Sequence, residues 1–221
     1  AAAPARARPI DTTPVRGLFD PEPEPVRPPA ERRAMLQTVE QEAKGCTACR
    51  LCERRNHVVF GVGDPNADLM FVGEGPGEQE DRRGEPFVGP AGQLLDKIIR
   101  AIDLDRPQVY IANVVKCRPP GNRNPQVDEV AACRGYLERQ IDLVQPKVIV
   151  ALGKVAAQAL LGSNQSLGRM RNVWHRVRGV ETRVTYHPAA LLRNPGWKRP
   201  TWEDMQLVRD HLRALQAERD G

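Results

Sequence analysis

Asp68-Leu69-Met70-Phe71-Val72-Gly73-Glu74-Gly75-Pro76-Gly77-Glu78-Gln79-Glu80-Asp81 reads as a buried strand running into a glycine-rich loop. The apolar run is too short for a helix and stops at Gly73, as a strand shielded on both faces does. Leu94, Leu95, Ile98, Ile99 and Ile102 then recur at helical spacing. The alternation continues with a strand at 109–115, a helix at 127–143, a strand at 147–152 and a helix at 154–161. This rhythm predicts an α/β fold, a parallel sheet with helical crossovers. Short strands at 173–177 and 183–186 follow, then a closing helix from Trp202 with Thr201 and Asp204 as a capping-box-like pair. Such sheets take ligands beyond the carboxyl ends of their strands, so the loops leaving the strands are where chemistry is expected.

The 221 residues are 40% hydrophobic, enough for one well-packed domain. No run approaches the roughly 20 apolar residues of a membrane span, and no apolar signal segment opens the chain, so a soluble, intracellular protein is expected. Residues 1–34 read as a disordered tail, with eight prolines in the first 30 positions. A featureless linker is its plainer reading, and an arm binding a repair or replication partner is the other. A helix-compatible run through Met35, Leu36 and Val39 then leads to Gly45.

The net charge of +5 is weakly basic, but its distribution is uneven. Arg169, Arg171, Arg176, Arg178, Arg183, Arg193, Lys198 and Arg199 face the single acid Glu181 between 163 and 200, eight minus one, a local +7. A phosphate-binding surface and an ordinary solvated face both fit.

Three loops carry candidate chemistry. In 73–81 the glycines let backbone approach a ligand, and Glu74 puts a carboxylate at the strand tip, although a plain turn has the same composition. The glycine spacing excludes a dinucleotide fingerprint, and the absence of Gly-Lys-Ser/Thr excludes a Walker loop. In 109–117 Asn113 interrupts an apolar strand, where an amide suits either the edge of a planar heterocycle or a structural hydrogen bond. In 186–195, Tyr-His-Pro-Ala-Ala-Leu-Leu-Arg-Asn-Pro, His187 stands at a strand exit facing a ligand position.

Five cysteines, an odd number, argue against a disulfide framework in an intracellular chain. Cys46-x-x-Cys49-x-x-Cys52 with the distant Cys117 and Cys133 is a four-thiolate signature that suits zinc or an iron-sulfur cluster. Cys52 is then the spare, or stands in for Cys49.

Together, the loop at 73–81, the loop at 187–195 and the cysteine pattern resemble the iron-sulfur uracil-DNA glycosylases, often called family four, over residues 38–213. The resemblance implies one catalytic domain at 35–218, a three-layer α/β/α fold around a central, mainly parallel four-stranded sheet. It also implies a 4Fe-4S cluster on Cys46, Cys49, Cys117 and Cys133, with a structural role. Phe87, otherwise readable as plain core, matches the ring that stacks on uracil. Asn113 matches the reader of the base's polar edge, which rejects cytosine, and His187 the group facing the carbonyl beside the scissile bond. His187 and the amides of Gly75 and Gly77 would stabilise the departing anion. Glu74 would orient or deprotonate the attacking water.

Two departures from related enzymes bear on this reading. Gly75 stands where other uracil glycosylases carry an aspartate, which weakens general-base catalysis. Gly77 replaces an aromatic that excludes the methyl of thymine, a task left to Glu80 or a neighbour. Leu191 is the expected wedge into the emptied base stack and Arg193 a phosphate contact. Uracil-containing DNA is the expected partner of a monomeric protein, cytoplasmic and associated with a bacterial or archaeal nucleoid. A covalent trapping protein is the first rival, disfavoured because 121–125 lacks the basic histidine loop of such relatives. A metal-stabilised nucleic-acid module is the second, and it leaves Asn113 and His187 unexplained.

Overall fold

The structure, a computed structural model, describes residues 28–220, with side chains to 217; the expectation of a disordered tail therefore lies outside the described residues for 1–27. In chain order the described elements are α1 (Pro29–Lys44), β1 (Val62–Gly63), β2 (Leu69–Gly73), α2 (Glu78–Arg83), α3 (Pro90–Arg100), β3 (Tyr110–Asn113) and α4 (Val127–Val144). They continue with β4 (Val148–Leu152), α5 (Lys154–Leu161), α6 (Leu167–Met170), β5 (Trp174–Val177), β6 (Val180–Thr185), α7 (Pro188–Arg193) and α8 (Lys198–Asp220).

The sheet order is β1-β3-β2-β4-β6-β5. The four inner strands β3, β2, β4 and β6 run parallel and are the expected core sheet; β1 and β5 add an antiparallel strand at each edge. The strands β2, β3 and β4 alternate their side chains between two apolar layers. Met70, Val72, Tyr110, Ala112 and Ile149 pack with Leu36 and Val39 of α1 and Leu137 and Ile141 of α4. Leu69, Phe71, Ile111, Val148 and Val150 pack with Leu95 and Ile99 of α3 and Met205, Val208 and Leu212 of α8 on the opposite face. Helices on both sides of a mostly parallel sheet make the predicted α/β/α sandwich. Among the described residues no helix is long and apolar enough to cross a membrane.

Three local readings change. The boundary expected after residue 34 falls inside α1, which begins at Pro29 with proline in the first turn, where a missing N–H costs nothing. The end of the 73–81 loop is helical: Glu78, Glu80 and Asp81 crowd the first turn of α2 and Arg82 and Arg83 its last, which complements the helix dipole, and Gly84 closes it at φ 75°. The closing helix starts at Lys198 rather than Trp202, because Pro200 sits early enough to be tolerated. Thr201 and Asp204 therefore lie within α8 and form no capping box; Thr201 Oγ1 donates to the Trp197 carbonyl, and Asp204 turns inward.

Candidate active site

The carboxyl ends of β2, β3, β4 and β6 lie along one edge of the sheet, so Glu74, Asn113, Gly153 and His187 all leave strands on the same side. Gly73 and Asn113 are partners in the β2–β3 ladder. A Cβ on Gly73 would stand 2.4 Å from Asn113 Oδ1 and 2.6 Å from the Phe87 ring, so three residues from separate segments meet there. The Phe87 ring in turn lies 5.5 Å from the His187 ring, tilted by 31°. Opposite His187, Gly153 at φ 90° leaves room for the histidine, since a Cβ there would come within 2.9 Å of His187 Cβ.

Asn113 is 1% exposed, and its Oδ1 has no hydrogen-bond partner among the described residues. A buried acceptor left open in this way is costly unless a ligand fills it. Phe87 takes φ 53°, a left-handed conformation uncommon for a bulky residue. Glu80 supports it: one carboxylate oxygen accepts the N–H groups of Val88 and Gly89, both at 2.9 Å. The other oxygen fills the space a side chain on Gly77 would need, 2.8 Å from that Cβ position.

His187 caps α7, its Nδ1 accepting the N–H of Ala189 at 3.1 Å. The proton of the neutral ring is thereby placed on Nε2, which is left free to donate. Burial, reinforced by the charge of Arg193 and opposed by Glu80, pushes the imidazole down to about 4, so it is uncharged at neutral pH. Burial alone raises the half-buried Glu74 above the usual carboxylate range. Asn113, Phe87 and His187 thus lie together along the carboxyl edge of the sheet, with Glu74 immediately after Gly73 at its strand tip.

Four residues beyond Asn113 the chain reaches a second site. Cys46, Cys49, Cys52, Cys117 and Cys133 line one small cavity, with Arg55, Lys116 and Tyr136. Sulfur receives donors from the Ala48 N–H (to Cys46, 3.5 Å), the Lys116 N–H (to Cys133, 3.3 Å) and Arg55 Nη1 (to Cys117, 3.3 Å). Burial pushes the Cys117 thiol up to about 11 and raises Cys49 and Cys133, so a cation is needed to draw off their protons. Among the described residues no three His, Cys, Asp or Glu side chains close around a single ion position.

The model of the Uracil DNA glycosylase superfamily matches residues 60–206. This chain belongs to that superfamily. A type-4 uracil-DNA glycosylase of Sulfurisphaera tokodaii is 45% identical over 184 residues, covering 79% of this chain and 84% of the relative. A second, from Thermotoga maritima, is 42% identical over 186 residues, 82% of this chain and 97% of the relative. A type-5 uracil-DNA glycosylase of Pyrobaculum aerophilum is 34% identical over 152 residues, 61% of this chain and 66% of the relative.

The structure corrects one expectation about the surface and narrows another. Leu191 is 1% exposed and cannot reach a DNA stack; on a helix the next residue faces about 100° away, and Leu192 is 48% exposed. The basic segment is also less free than its composition implies. Arg171 and Arg183 are buried, both bound to the buried carboxylate of Asp204, with Nη2 groups at 2.7 and 2.9 Å. Arg176, Arg178 and Arg199 pair with Glu181, Asp142 and Glu203. Arg193 and Lys198 lie instead in an unbroken exposed stretch, 192–199.

Sequence reasoning missed three residues. Asp81 accepts the Asn56 N–H at 2.9 Å and so ties the glycine loop to the chain leaving the cysteines. Asp204 also accepts from Thr185 Oγ1 at 2.8 Å, two residues before His187, and Arg171 stacks over Tyr186 at 4.4 Å. Lys116 is fully buried beside Asn113. A polar residue amid an apolar run was the available signal for Lys116; the partners of Asp204 lie 19 to 33 residues away and left none.

Proposed function

We propose that this chain is a uracil-DNA glycosylase, which hydrolyses the N-glycosidic bond of deoxyuridine, leaves an abasic site and so initiates base excision repair. The observation that carries the reading is the open Asn113 Oδ1, buried beside the Phe87 ring and the Nε2–H of a neutral His187. Uracil offers N3–H to that oxygen and its O4 to the amide nitrogen. Cytosine reverses both, with an acceptor at N3 and an amine at C4, and leaves buried groups unpaired.

The nucleotide must leave the duplex to reach such a pocket. Leu192 takes the wedge role expected of Leu191, and Arg193 and Lys198 grip phosphates on the same exposed stretch. Phe87 stacks on the flipped base. As the C1′–N1 bond breaks, its electron pair leaves with uracil, and His187 Nε2–H and the amides of Gly75 and Gly77 stabilise the charge on O2. Water adds to C1′ and gives its proton to Glu74. Glu80, filling the space beside Gly77, is the obstacle to the methyl of thymine.

Cys46, Cys49, Cys117 and Cys133 hold a 4Fe-4S cluster, with Cys52 as the spare thiol. Zinc would draw sulfurs to about 2.3 Å around one point. Thiols from three separate segments line one cavity, with no single-ion site among the described residues, which suits a group of several atoms. Held there, the group would tie the chain at 46–49 to the segment four residues beyond β3 and to α4.

Incubation with an oligonucleotide bearing one uracil, followed by alkali, tests the reading. Strand breaks at uracil are expected for the wild type and strong losses for Glu74→Ala and His187→Ala. Uncut DNA with the wild type, or an adduct surviving denaturation, would overturn it.

A further inference from the structure

Lys116 is 1% exposed, and among the described residues no carboxylate pairs with its ammonium. Its hydrogen-bond partners are the Asn113 carbonyl, at 2.8 Å, and Gln140 Oε1; the Phe60 ring lies 5.8 Å away. Burying an ammonium without a counter-ion costs several kcal/mol, and a leucine or methionine would fill the same space without that cost. A lysine is favoured here only where its charge and donors are used.

Two neighbours use them. Lys116 lines the same cavity as the cysteines, and its backbone N–H donates to Cys133 Sγ at 3.3 Å, so thiolates on a bound metal centre would place negative charge in the wall that Lys116 shares. On its other side it holds the main chain of the residue proposed to read the base. Gln140 anchors this link: its Nε2 donates to the Phe60 carbonyl at 2.9 Å and to Tyr110 Oη at 3.1 Å, from the helix that carries Cys133.

Resting on the proposed function, we infer that Lys116 is a positioning residue that couples the cysteine centre to the base-reading edge of the pocket. It balances thiolate charge with the same ammonium that fixes the Asn113 backbone. Misplacing a reacting group by about 1 Å costs on the order of 100-fold in rate, so a small shift of Asn113 is enough to matter.

The test uses the full chain with its metal centre loaded, comparing wild type, Lys116→Met and Gln140→Leu. Lys116→Met is expected to lower kcat on uracil DNA about 100-fold, with KM for DNA nearly unchanged. Its affinity for free uracil falls in parallel, and the reduction potential of the cysteine centre becomes more negative because a nearby positive charge is gone. Gln140→Leu keeps the charge, so it is expected to lower kcat by a smaller factor and leave the potential where it was. Wild-type kcat and potential in Lys116→Met overturn the inference, as does a loss of kcat accompanied by an equal loss of DNA affinity. Should Lys116→Met not fold, unchanged kcat and uracil affinity in folded Gln140→Leu overturn it equally. A wild type that leaves uracil uncut refutes the glycosylase reading instead, and the potential of Lys116→Met still reports on the lysine.

Discussion

Gly73 and Asn113 face each other across the β2–β3 ladder so closely that a single added methyl on Gly73 would overlap Asn113 Oδ1, at 2.4 Å, and the Phe87 ring, at 2.6 Å. The missing side chain lets Asn113 and Phe87 share one wall. Gly73→Ala is expected to displace one of them and to reduce uracil excision by about 100-fold. Steady-state kinetics checks this, and activity within a few-fold of wild type would mean that the two side chains do not form one pocket.

His187 keeps its one ring proton on Nε2, because Nδ1 accepts the Ala189 N–H, and a neutral ring so held is a hydrogen-bond donor at Nε2. Losing one such donor typically lowers kcat by about 100- to 1,000-fold, and that is the expected cost of His187→Gln, with DNA affinity retained in a binding assay. The same burial affects stability. With a folded pKa of about 4 against an ordinary 6.5, the unfolded chain takes up a proton between those values and the native state does not. The contribution is fully present above pH 6.5 and is lost as pH falls toward 4. Thermal melts between pH 4 and 7 should show His187→Gln losing less stability on acidification than the wild type.

Glu74 must be ionised to accept a proton from water, and burial raises its pKa above the usual carboxylate range. The acid limb of kcat/KM is therefore expected above pH 4.5, the ordinary value. Glu74→Gln should abolish that limb and leave a slower, flatter profile. An acid limb that persists in Glu74→Gln assigns the titration to another group.

Asp204 offers a contrast between buried and surface charge. Replacing it with asparagine leaves Arg171 and Arg183 buried without a counter-charge, which should destabilise the protein by about 3–5 kcal/mol in denaturant unfolding. Disrupting the more exposed Arg199–Glu203 pair should cost no more than about 1 kcal/mol. Comparable losses for the two would contradict the buried network.

The pocket and the sheet were legible in the sequence to different depths. Asn113, Glu74 and His187 stood out because polar groups at strand exits break an apolar pattern. The burial of Leu191, Arg171 and Arg183 is not legible in the sequence, because exposure is not written into residue type. Leu191 and Leu192 are chemically alike, and only the rotation of a short helix decides which is buried. Arg171 and Arg183 belong to a segment whose composition fits a phosphate-binding or a solvated face, and neither fits these two, because Asp204, distant in the chain, binds both in the interior.

The sequence by itself determined the alternation of strand and helix, the thiol spacing and the polar residues at the strand tips. Each is a matter of local periodicity or of side-chain chemistry carried by the residue itself. Tertiary structure alone decided which charges are neutralised and which amide oxygen is left open. Those properties depend on desolvation and on partners that come close only when segments far apart in the chain pack together.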